Sequence, residues 1–256
     1  MALWQTTRFR LDLTRPLVMG IVNNTPDSFS DGGHHHSVTA ALRHAEKLLK
    51  DGAHILDIGG ESTRPGSPAV PLEEEMRRVL PFVQAAVQFG VPISVDTYKA
   101  QVMQAVLDAG ADIINDVWAL RQPGAQSVVA SHPQCGVVLM HMHKTPPDMQ
   151  QTPMQGDAVA QVQDFLAQQT QALVALGVER QRIVWDYGIG FGKTVAQNFA
   201  LLAHQTALTR QGFALLAGWS RKSSLGQVTN RPVEERMVPS VAAAVLAVER
   251  GARIVR

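Results

Sequence analysis

One stretch decides the fold of this chain: Asp57-Ile58-Gly59-Gly60-Glu61-Ser62-Thr63-Arg64-Pro65-Gly66. An apolar strand opens there into a glycine turn that presents two carboxylates, two hydroxyls and an arginine. Charged groups crowded onto a loop at a strand end add little to packing, but they suit an ionic substrate. The same plan, an apolar strand followed by polar residues at its carboxyl end, recurs along the chain.

Short apolar runs alternate with helical patterns. We predict strands over residues 17–24, 54–60, 92–97, 112–117, 137–142, 182–188, 215–220 and 253–256. Each run is nearly all apolar rather than alternating, which is typical of parallel strands buried on both faces. Helical patterns lie between them, at residues 37–50, 72–89, 99–109, 156–176, 195–211 and 233–250. Left-handed C-caps are predicted at the glycines that end these helices, namely Gly52, Gly90, Gly110, Gly177, Gly212 and Gly251.

Strict alternation of eight strands with helices favours an α/β fold, a single (β/α)8 TIM barrel over residues 1–256. Such a barrel typically needs about 250 residues, and no low-complexity linker divides the chain. An open doubly wound sheet is the alternative. No helix follows the eighth strand in this sequence, so the final helix is apparently missing. We expect a barrel without its last helix to expose an apolar strip unless a partner or the N-terminal segment covers it.

Composition excludes several classes of partner. Hydrophobic residues are 45% and charged residues 18%, and the formal net charge of +1 indicates neither nucleic acid nor an anionic membrane. No apolar run reaches the ~18 residues of a spanning helix, and the N-terminus lacks the apolar region of a secretory signal. The single cysteine, Cys135, excludes an internal disulfide and predicts a cytoplasmic protein.

The active sites of such barrels lie at the carboxyl ends of the strands. These ends carry cations that can hold a phosphate, namely Arg64, Lys222 and Arg256. They also carry acceptors that can bind a donor-rich heterocyclic edge, namely Asp57, Asp96, Asn115 and Asp186. The substrate indicated is a flat, donor-bearing ring attached to a phosphate or pyrophosphate.

Four other features of the sequence bear on nucleotide or metal binding. The run Gly188-Ile189-Gly190-Phe191-Gly192-Lys193-Thr194 lacks P-loop spacing, so we predict a strand-to-helix turn that approaches a ligand. His34-His35-His36 is predicted to lie in a solvated loop. His141 and His143 have no evident third ligand, so zinc is not expected. Asn23 offers an oxygen suited to Mg²⁺, which often binds one or two protein groups plus substrate phosphates.

Several polar and glycine-rich motifs follow one another along the chain. They are Met19-Gly20-Ile21-Val22-Asn23-Asn24-Thr25-Pro26-Asp27-Ser28-Phe29-Ser30-Asp31-Gly32-Gly33, then Asp57 to Gly66, Ser94-Val95-Asp96-Thr97, Ile114-Asn115-Asp116, Leu139-Met140-His141-Met142, Gly190-Phe191-Gly192-Lys193 and Ser220-Arg221-Lys222-Ser223. Taken together and in this order, they resemble the dihydropteroate synthase family across nearly the whole chain.

The resemblance implies condensation of 6-hydroxymethyl-7,8-dihydropterin diphosphate with p-aminobenzoate to give 7,8-dihydropteroate and pyrophosphate. It implies catalytic roles for Asp96, Lys222 and Arg64. By the same resemblance, the pterin is held by Asp96, Asn115, Asp186 and Lys222, and the diphosphate by Thr63, Arg64 and Arg256, with Asn23 contacting Mg²⁺. The p-aminobenzoate pocket would include Phe29, Pro65, Phe191 and Ser223. The family also implies a sulfonamide target and a possible homodimer formed through terminal helices.

The chain departs from the family pattern at a few positions. Tyr187 replaces a proline and could tilt the neighbouring Asp186 carboxylate, while Tyr98 and Trp118 are bulky. The family's usual Val-His-Asp after the last arginine is missing. Two alternatives stay open: a pterin-binding methyltransferase relative and a non-catalytic pterin-binding protein. A methyltransferase would not need the Thr63-Arg64 loop or the Ser220 to Ser223 cluster.

Overall fold

The structure is a computed structural model that describes residues 2–23, 34–62, 67–145, 148–149 and 151–256. Ten strands occur in this part of the chain: β1 Leu3–Gln5, β2 Arg10–Asp12, β3 Leu17–Asn23, β4 Ile55–Gly59, β5 Ile93–Asp96, β6 Ile113–Asp116, β7 Gly136–Met140, β8 Ile183–Asp186, β9 Ala214–Ala217 and β10 Ile254–Val255. Strands β3 to β10 form a closed parallel barrel in the order β10-β3-β4-β5-β6-β7-β8-β9. The predicted TIM barrel is therefore confirmed, and the open sheet is wrong.

Helices surround this barrel. They are α1 His34–Lys50, α2 Leu72–Ala86, α3 Ala100–Asp108, α4 Ala125–Ser131, α5 Ala158–Ala175, α6 Val195–Ala203, α7 Gln205–Thr209, α8 Ser223–Thr229 and α9 Met237–Glu249. No helix among the described residues is long and apolar enough to cross a membrane. Since β10 pairs with β3, the barrel uses the chain from Leu17 onward. One domain over residues 1–256 is compatible with this closure and stays a prediction.

Several predicted boundaries are corrected. Helix α1 begins at His34, so the prediction of a loop for the three histidines is wrong. The helix predicted over 195–211 is divided at His204 into α6 and α7. Short helices α4 and α8 were not predicted. The glycine caps are confirmed, since all six of those glycines have positive φ, between 68° and 101°.

The antiparallel β1–β2 hairpin, also unpredicted, closes the amino-terminal end of the barrel. Its Trp4 is fully buried and donates an indole hydrogen bond to the carbonyl oxygen of Arg182 at 2.9 Å. Trp4 and Leu13 pack on the inward side chains at the start of the barrel strands, which are Met19, Ile55, Ile113, Val138, Val184, Leu216 and Ile254. The lower half of the barrel is thus an apolar core.

Side chains along a strand alternate between the two faces of a sheet. Two positions after the apolar layer, the inward side chains become polar: Asp57 follows Ile55, Asn115 follows Ile113, and Asp186 follows Val184. The outward positions between them are apolar and pack against the helices. The fold therefore gathers polar groups at the carboxyl end of the barrel.

Candidate active site at the carboxyl end of the barrel

Asp57 lies at the centre of the polar layer and is fully buried. Its Oδ1 accepts a hydrogen bond from Ser94 Oγ at 2.6 Å. Its Oδ2 accepts from Asn115 Nδ2 at 3.1 Å and from Arg256 Nε at 2.5 Å. A carboxylate offers about four acceptor positions, so protein donors already occupy most of them. The hypothesis that Asp57 binds a heterocycle directly is not supported by this geometry, and Asp57 instead orients its neighbours.

Arg256 also bonds to a second carboxylate, since its Nη2 donates to Asp96 Oδ2 at 2.9 Å. Burial alone would lower the pKa of Arg256, but Asp57 and Asp96 raise it above its ordinary value. The guanidinium therefore stays charged. Its Nη1 is the nitrogen that these two carboxylates do not use.

Asp96 has one oxygen without a protein donor. Its Oδ1 is buried and has no hydrogen-bond partner among the described residues. Burial raises the pKa of Asp96 to about 7, although Arg256 opposes the shift. A buried acceptor without a donor is rare in folded proteins. This oxygen therefore points to a ligand that supplies a donor.

On the opposite side of the mouth, Asp186 and Lys222 are near enough for the charge of each to affect the pKa of the other. Asp186 Oδ1 accepts from the backbone N–H of Gly188 at 2.7 Å, and burial raises the pKa of Asp186 against the effects of that bond and of Lys222. Burial lowers the pKa of Lys222 to about 8, with Asp186 opposing. The Lys222 ammonium lies 4.4 Å from the ring centroid of Phe191. The structure thus brings a carboxylate, an ammonium and an aromatic ring together.

The structure describes only some of the remaining predicted site residues. Asn23 and Ser223 are exposed at the barrel mouth, Asn23 at the end of β3 and Ser223 at the start of α8. The predicted residues Phe29, Thr63, Arg64 and Pro65 lie outside the described residues, as does Asn24.

Asn23 is suited to a hard cation. A Cβ placed on Gly59 would lie 3.5 Å from Asn23 Oδ1 and 3.9 Å from Asp96 Cβ, so the amide oxygen and Asp96 flank the same glycine. No cluster of three His, Cys, Asp or Glu side chains occurs within the described ranges. The amide oxygen of Asn23 is the type of ligand that fits a hard cation such as Mg²⁺, which often takes one or two protein groups together with substrate phosphates.

An ion-pair network at the edge of the mouth was missed by the sequence analysis. Lys99 Nζ contacts Glu61 Oε2 at 2.5 Å and also contacts Glu75. Glu61 accepts a further bond from Tyr98 OH at 2.9 Å, and the Tyr98 ring lies 6.2 Å from that of Trp118. The bulky Tyr98 thus fixes Glu61 at the base of the loop that follows β4. In the sequence, the only sign of this network is that Glu61 lies next to that loop.

Tyr187 does not point into the site. It is fully buried in the layer between barrel and helices, where its hydroxyl donates to Gln205 Oε1 at 2.8 Å. The indole of Trp219 donates to the same hydroxyl at 3.4 Å. Asp186 points inward and Tyr187 outward, so the tyrosine ring packs between barrel and helices and does not enter the active site.

A parallel barrel whose mouth combines buried carboxylates, an amide and two cations defines an enzyme for a polar ring with an anionic substituent. Residues 19–256 match the pterin-binding enzyme family, and the chain belongs to it. Within that family it falls among the dihydropteroate synthases. It is 48% identical over 259 residues to the dihydropteroate synthase of Neisseria meningitidis serogroup B, covering 99% of this chain and 91% of that protein.

Solved structures give the same result. The Xanthomonas albilineans dihydropteroate synthase with 4-aminobenzoic acid has a TM-score of 0.90 and 51% identity, covering 96% of this chain and 89% of that chain. The Burkholderia cenocepacia enzyme complexed with 7,8-dihydropteroate has a TM-score of 0.90 and 49% identity, covering 100% of this chain and 90% of that chain. The predicted family and transferase activity are confirmed, and neither alternative class is supported.

Proposed function

We propose that this chain performs the dihydropteroate synthase reaction with the residues of the barrel mouth in specific roles. The observation that carries the assignment is the buried Asp96 Oδ1, which has no protein donor among the described residues. A dihydropterin ring presents N–H groups along one edge, and Asp96, Asp186 and Asn115 offer acceptors at one level of the barrel. Lys222 complements them as the donor for the carbonyl side of the ring.

The diphosphate is assigned to the side of the mouth that contains Arg256. Two nitrogens of its guanidinium bind Asp57 and Asp96, so Nη1 is the group proposed for a phosphate oxygen. Thr63 and Arg64 are proposed to join it on the basis of the sequence motif. Asn23 would hold Mg²⁺, which, when bound, supplies charge neutralisation for the departing diphosphate.

The p-aminobenzoate side is assigned to Phe191, Lys222 and Ser223. The Phe191 ring, close to the Lys222 ammonium, offers an apolar face for an aromatic amine. Ser223 supplies an exposed hydroxyl and backbone N–H at the start of α8. Phe29, from the sequence segment that follows β3, and Pro65, from the segment that follows β4, are proposed to complete this pocket.

Electrostatic stabilisation supplies the chemistry in this proposal. As the bond between the pterin methylene and the diphosphate oxygen breaks, positive charge grows on the ring and methylene, and the Asp96 and Asp186 carboxylates stabilise it in a buried setting. The diphosphate leaves with the electron pair of the broken bond, the neutral amine of p-aminobenzoate forms the new carbon–nitrogen bond, and the proton that the amine loses passes to solvent. No covalent enzyme intermediate is required.

The deciding experiment measures pyrophosphate release from the pterin diphosphate with Mg²⁺, with and without p-aminobenzoate. Release that depends on p-aminobenzoate and yields dihydropteroate supports the proposal. Saturable pterin binding without release would instead indicate a binding protein.

Replacing Asn23 by Ala should raise the Mg²⁺ concentration for half-maximal rate, and an unchanged requirement would exclude Asn23 as the ligand.

We also propose that the protein is a homodimer formed through α9. Met237, Val241 and Val245 repeat every four residues and are 67%, 58% and 52% exposed, which creates an apolar face on one side of the helix. A second copy of the chain is the proposed occupant. Val241→Glu should convert the dimer to a monomer in sedimentation equilibrium, whereas Gln104→Glu on exposed α3 should not. A wild-type monomer would refute the dimer.

A cytoplasmic location is likewise proposed. It is supported by the single cysteine, because Cys135 is buried as a free thiol and burial raises its pKa. Subcellular fractionation of the native host tests this, and recovery from the periplasm would contradict it.

A further inference from the structure

Lys193 is a buried lysine that the mechanism does not use. It follows the glycine-rich turn after β8 and is only 3% exposed. Its Nζ lies 2.9 Å from His141 Nδ1, 2.9 Å from Gly188 O, 3.2 Å from His141 O and 3.3 Å from Phe191 O. No carboxylate forms an ion pair with it in the described part of the chain. Burying an ammonium without a paired carboxylate is costly, so these four acceptors call for an explanation.

The acceptor set suits the charged form of the lysine. An ammonium has three N–H donors, which suits an array of three carbonyl oxygens and one ring nitrogen. Burial lowers the pKa of His141 to about 2, so its imidazole is neutral and its Nδ1 can accept. Burial also lowers the pKa of Lys193 to about 7, with Asp186 opposing. The four acceptors can bond to the ammonium form, which burial disfavours.

The same atoms join two loops. His141 follows β7, while Gly188 and Phe191 belong to the turn after β8. The two loops are in close contact, since a Cβ at Gly188 would lie 1.9 Å from His141 O and one at Gly192 would lie 2.7 Å from His143 Cβ. Lys193 is therefore a clamp that holds the turn after β8 against the segment after β7.

This turn carries two groups of the active site. The N–H of Gly188 bonds to Asp186, and the Phe191 ring packs near the Lys222 ammonium. We propose that Lys193 is a positioning residue for the reaction: by holding the Phe191 carbonyl it places the Phe191 ring and thereby shapes the p-aminobenzoate side of the site. This inference rests on the proposed role of Phe191.

The test is a kinetic comparison of Lys193→Met with the wild type. Because a displaced ring affects the second substrate, we expect the KM for p-aminobenzoate to rise about tenfold while the KM for the pterin diphosphate changes by less than about threefold. Lys193→Gln keeps two N–H donors on a shorter side chain and should give an intermediate increase. Unchanged KM for p-aminobenzoate in both variants would overturn the proposal.

A double-mutant cycle with Phe191→Leu separates positioning from general destabilisation. If Lys193 acts through Phe191, the double variant loses little more than the worse single variant. Fully additive losses would show that the lysine does not act through that ring, and the proposal would fail.

Arg182 provides a matched control at the opposite end of the same strand. It is also 3% exposed, and its guanidinium donates to the carbonyls of Val129 and Cys135 at 2.8 Å each. Arg182→Met should lower the melting temperature and leave both KM values unchanged. If Lys193→Met behaves in the same way, its role is only structural.

A crystal structure of Lys193→Met decides the matter independently of activity. Displacement of the Phe191 ring away from Lys222 supports positioning, and an unchanged ring overturns it. If the wild type makes no dihydropteroate, the proposed function fails, while this structural comparison still decides the role of Lys193.

Discussion

The guanidinium of Arg256 donates a 2.5 Å hydrogen bond to Asp57 across the barrel mouth, although 199 positions separate the two residues in the chain. Asp57 belongs to β4 and Arg256 follows β10, and β3 lies between these two strands in the barrel. The pair therefore links the two sides of the barrel closure directly above its apolar core. Arg256 bonds to Asp96 as well, but Asp57 also accepts from Ser94 and Asn115, whereas Asp96 Oδ1 has no donor among the described residues and remains for a ligand.

The first prediction concerns the stability contributed by Asp57. Asp57→Ala removes the shared acceptor of Arg256, Asn115 and Ser94 and leaves buried donors unpaired. We expect the free energy of unfolding to fall by about 3 kcal/mol, as for other broken buried ion pairs. Urea unfolding monitored by circular dichroism measures this change.

Asp51 is the control for that measurement. It pairs with Lys47 on the surface of α1 at 2.9 Å, and both side chains are exposed. Asp51→Ala should change the free energy of unfolding by less than about 0.5 kcal/mol, because exposed ion pairs contribute little. Equal losses at the two aspartates would refute the special role of Asp57.

The second prediction concerns Asp96. Asp96→Asn keeps the shape of the side chain and removes the charge that would stabilise the developing cation. Turnover should therefore fall much more than the affinity for the diphosphate group, measured as pyrophosphate, does. Steady-state kinetics with direct pyrophosphate binding measures both quantities, and equal losses would count against this role.

The pH dependence of kcat/KM is the third prediction, and its sign follows from two shifted groups. Burial raises the pKa of Asp96 to about 7, so the carboxylate loses its charge and the rate falls as the pH drops below that value. Burial lowers the pKa of Lys222 to about 8, so the ammonium loses its proton and the rate falls above that value. We expect a narrow bell-shaped profile.

Substitutions assign the two limbs of the profile. Asp96→Asn should remove the acid limb and keep the alkaline limb. Ionisations of the substrates affect the wild type and the variant equally, so they cancel when the two pH profiles are compared. Burial also raises the pKa of Asp116 to about 7, but its oxygens accept backbone bonds from Trp118 and Leu120. Asp116→Asn should therefore leave the acid limb in place. Loss of the limb in Asp116→Asn alone would reassign it.

The sequence predicts the barrel well because each barrel strand is a short apolar run. Such a run can be recognised without knowing which distant residues the strand contacts. It predicts the inward polar residues for the same reason, since alternation along a strand is local. The hairpin was missed because β1 and β2 have three residues each, which is too short for a pattern.

The division of roles within the site could not be predicted, since it depends on contacts between distant residues. Asp57 and Asp96 are both aspartates on neighbouring strands, and both bond to Arg256. What distinguishes them is that Asp57 also accepts from Ser94 and Asn115, which come from other strands. For Lys193 the sequence predicts only a place in a glycine-rich turn. Its contacts with His141 cannot be predicted locally, because His141 belongs to another loop.

The fourth prediction tests whether Tyr187 affects catalysis. Tyr187→Phe leaves the buried Gln205 oxygen without its 2.8 Å donor, so the free energy of unfolding should fall by about 1.5 kcal/mol. Because the ring points away from the site, kcat/KM should stay within about twofold of the wild type.

Tyr98, the other tyrosine of the chain, is the natural comparison. Tyr98→Phe removes the donor to Glu61 at the base of the loop after β4 and should reduce kcat/KM with a smaller loss of stability. A strong catalytic defect in Tyr187→Phe would restore the hypothesis that Tyr187 tilts Asp186.

The fifth prediction uses two glycines in the same left-handed conformation. Gly188 has φ 64° and Gly177 has φ 89°. Alanine at either position should lose about 1–2 kcal/mol from the left-handed backbone alone. A Cβ at Gly177 meets nothing within 4 Å, whereas a Cβ at Gly188 would lie 1.9 Å from the carbonyl oxygen of His141. The two alanine variants therefore differ mainly by this clash.

Gly188→Ala must push the turn after β8 away from the segment after β7, because the atom it meets belongs to the backbone and cannot rotate aside. We expect it to lose at least about 2 kcal/mol more than Gly177→Ala in urea unfolding. It should also reduce kcat/KM, since Gly188 N–H orients Asp186 and the same turn carries Phe191. Gly177→Ala should keep wild-type kinetics. Equal stability and activity in the two variants would mean that the turn after β8 can move freely and that its contact with His141 does not position the site.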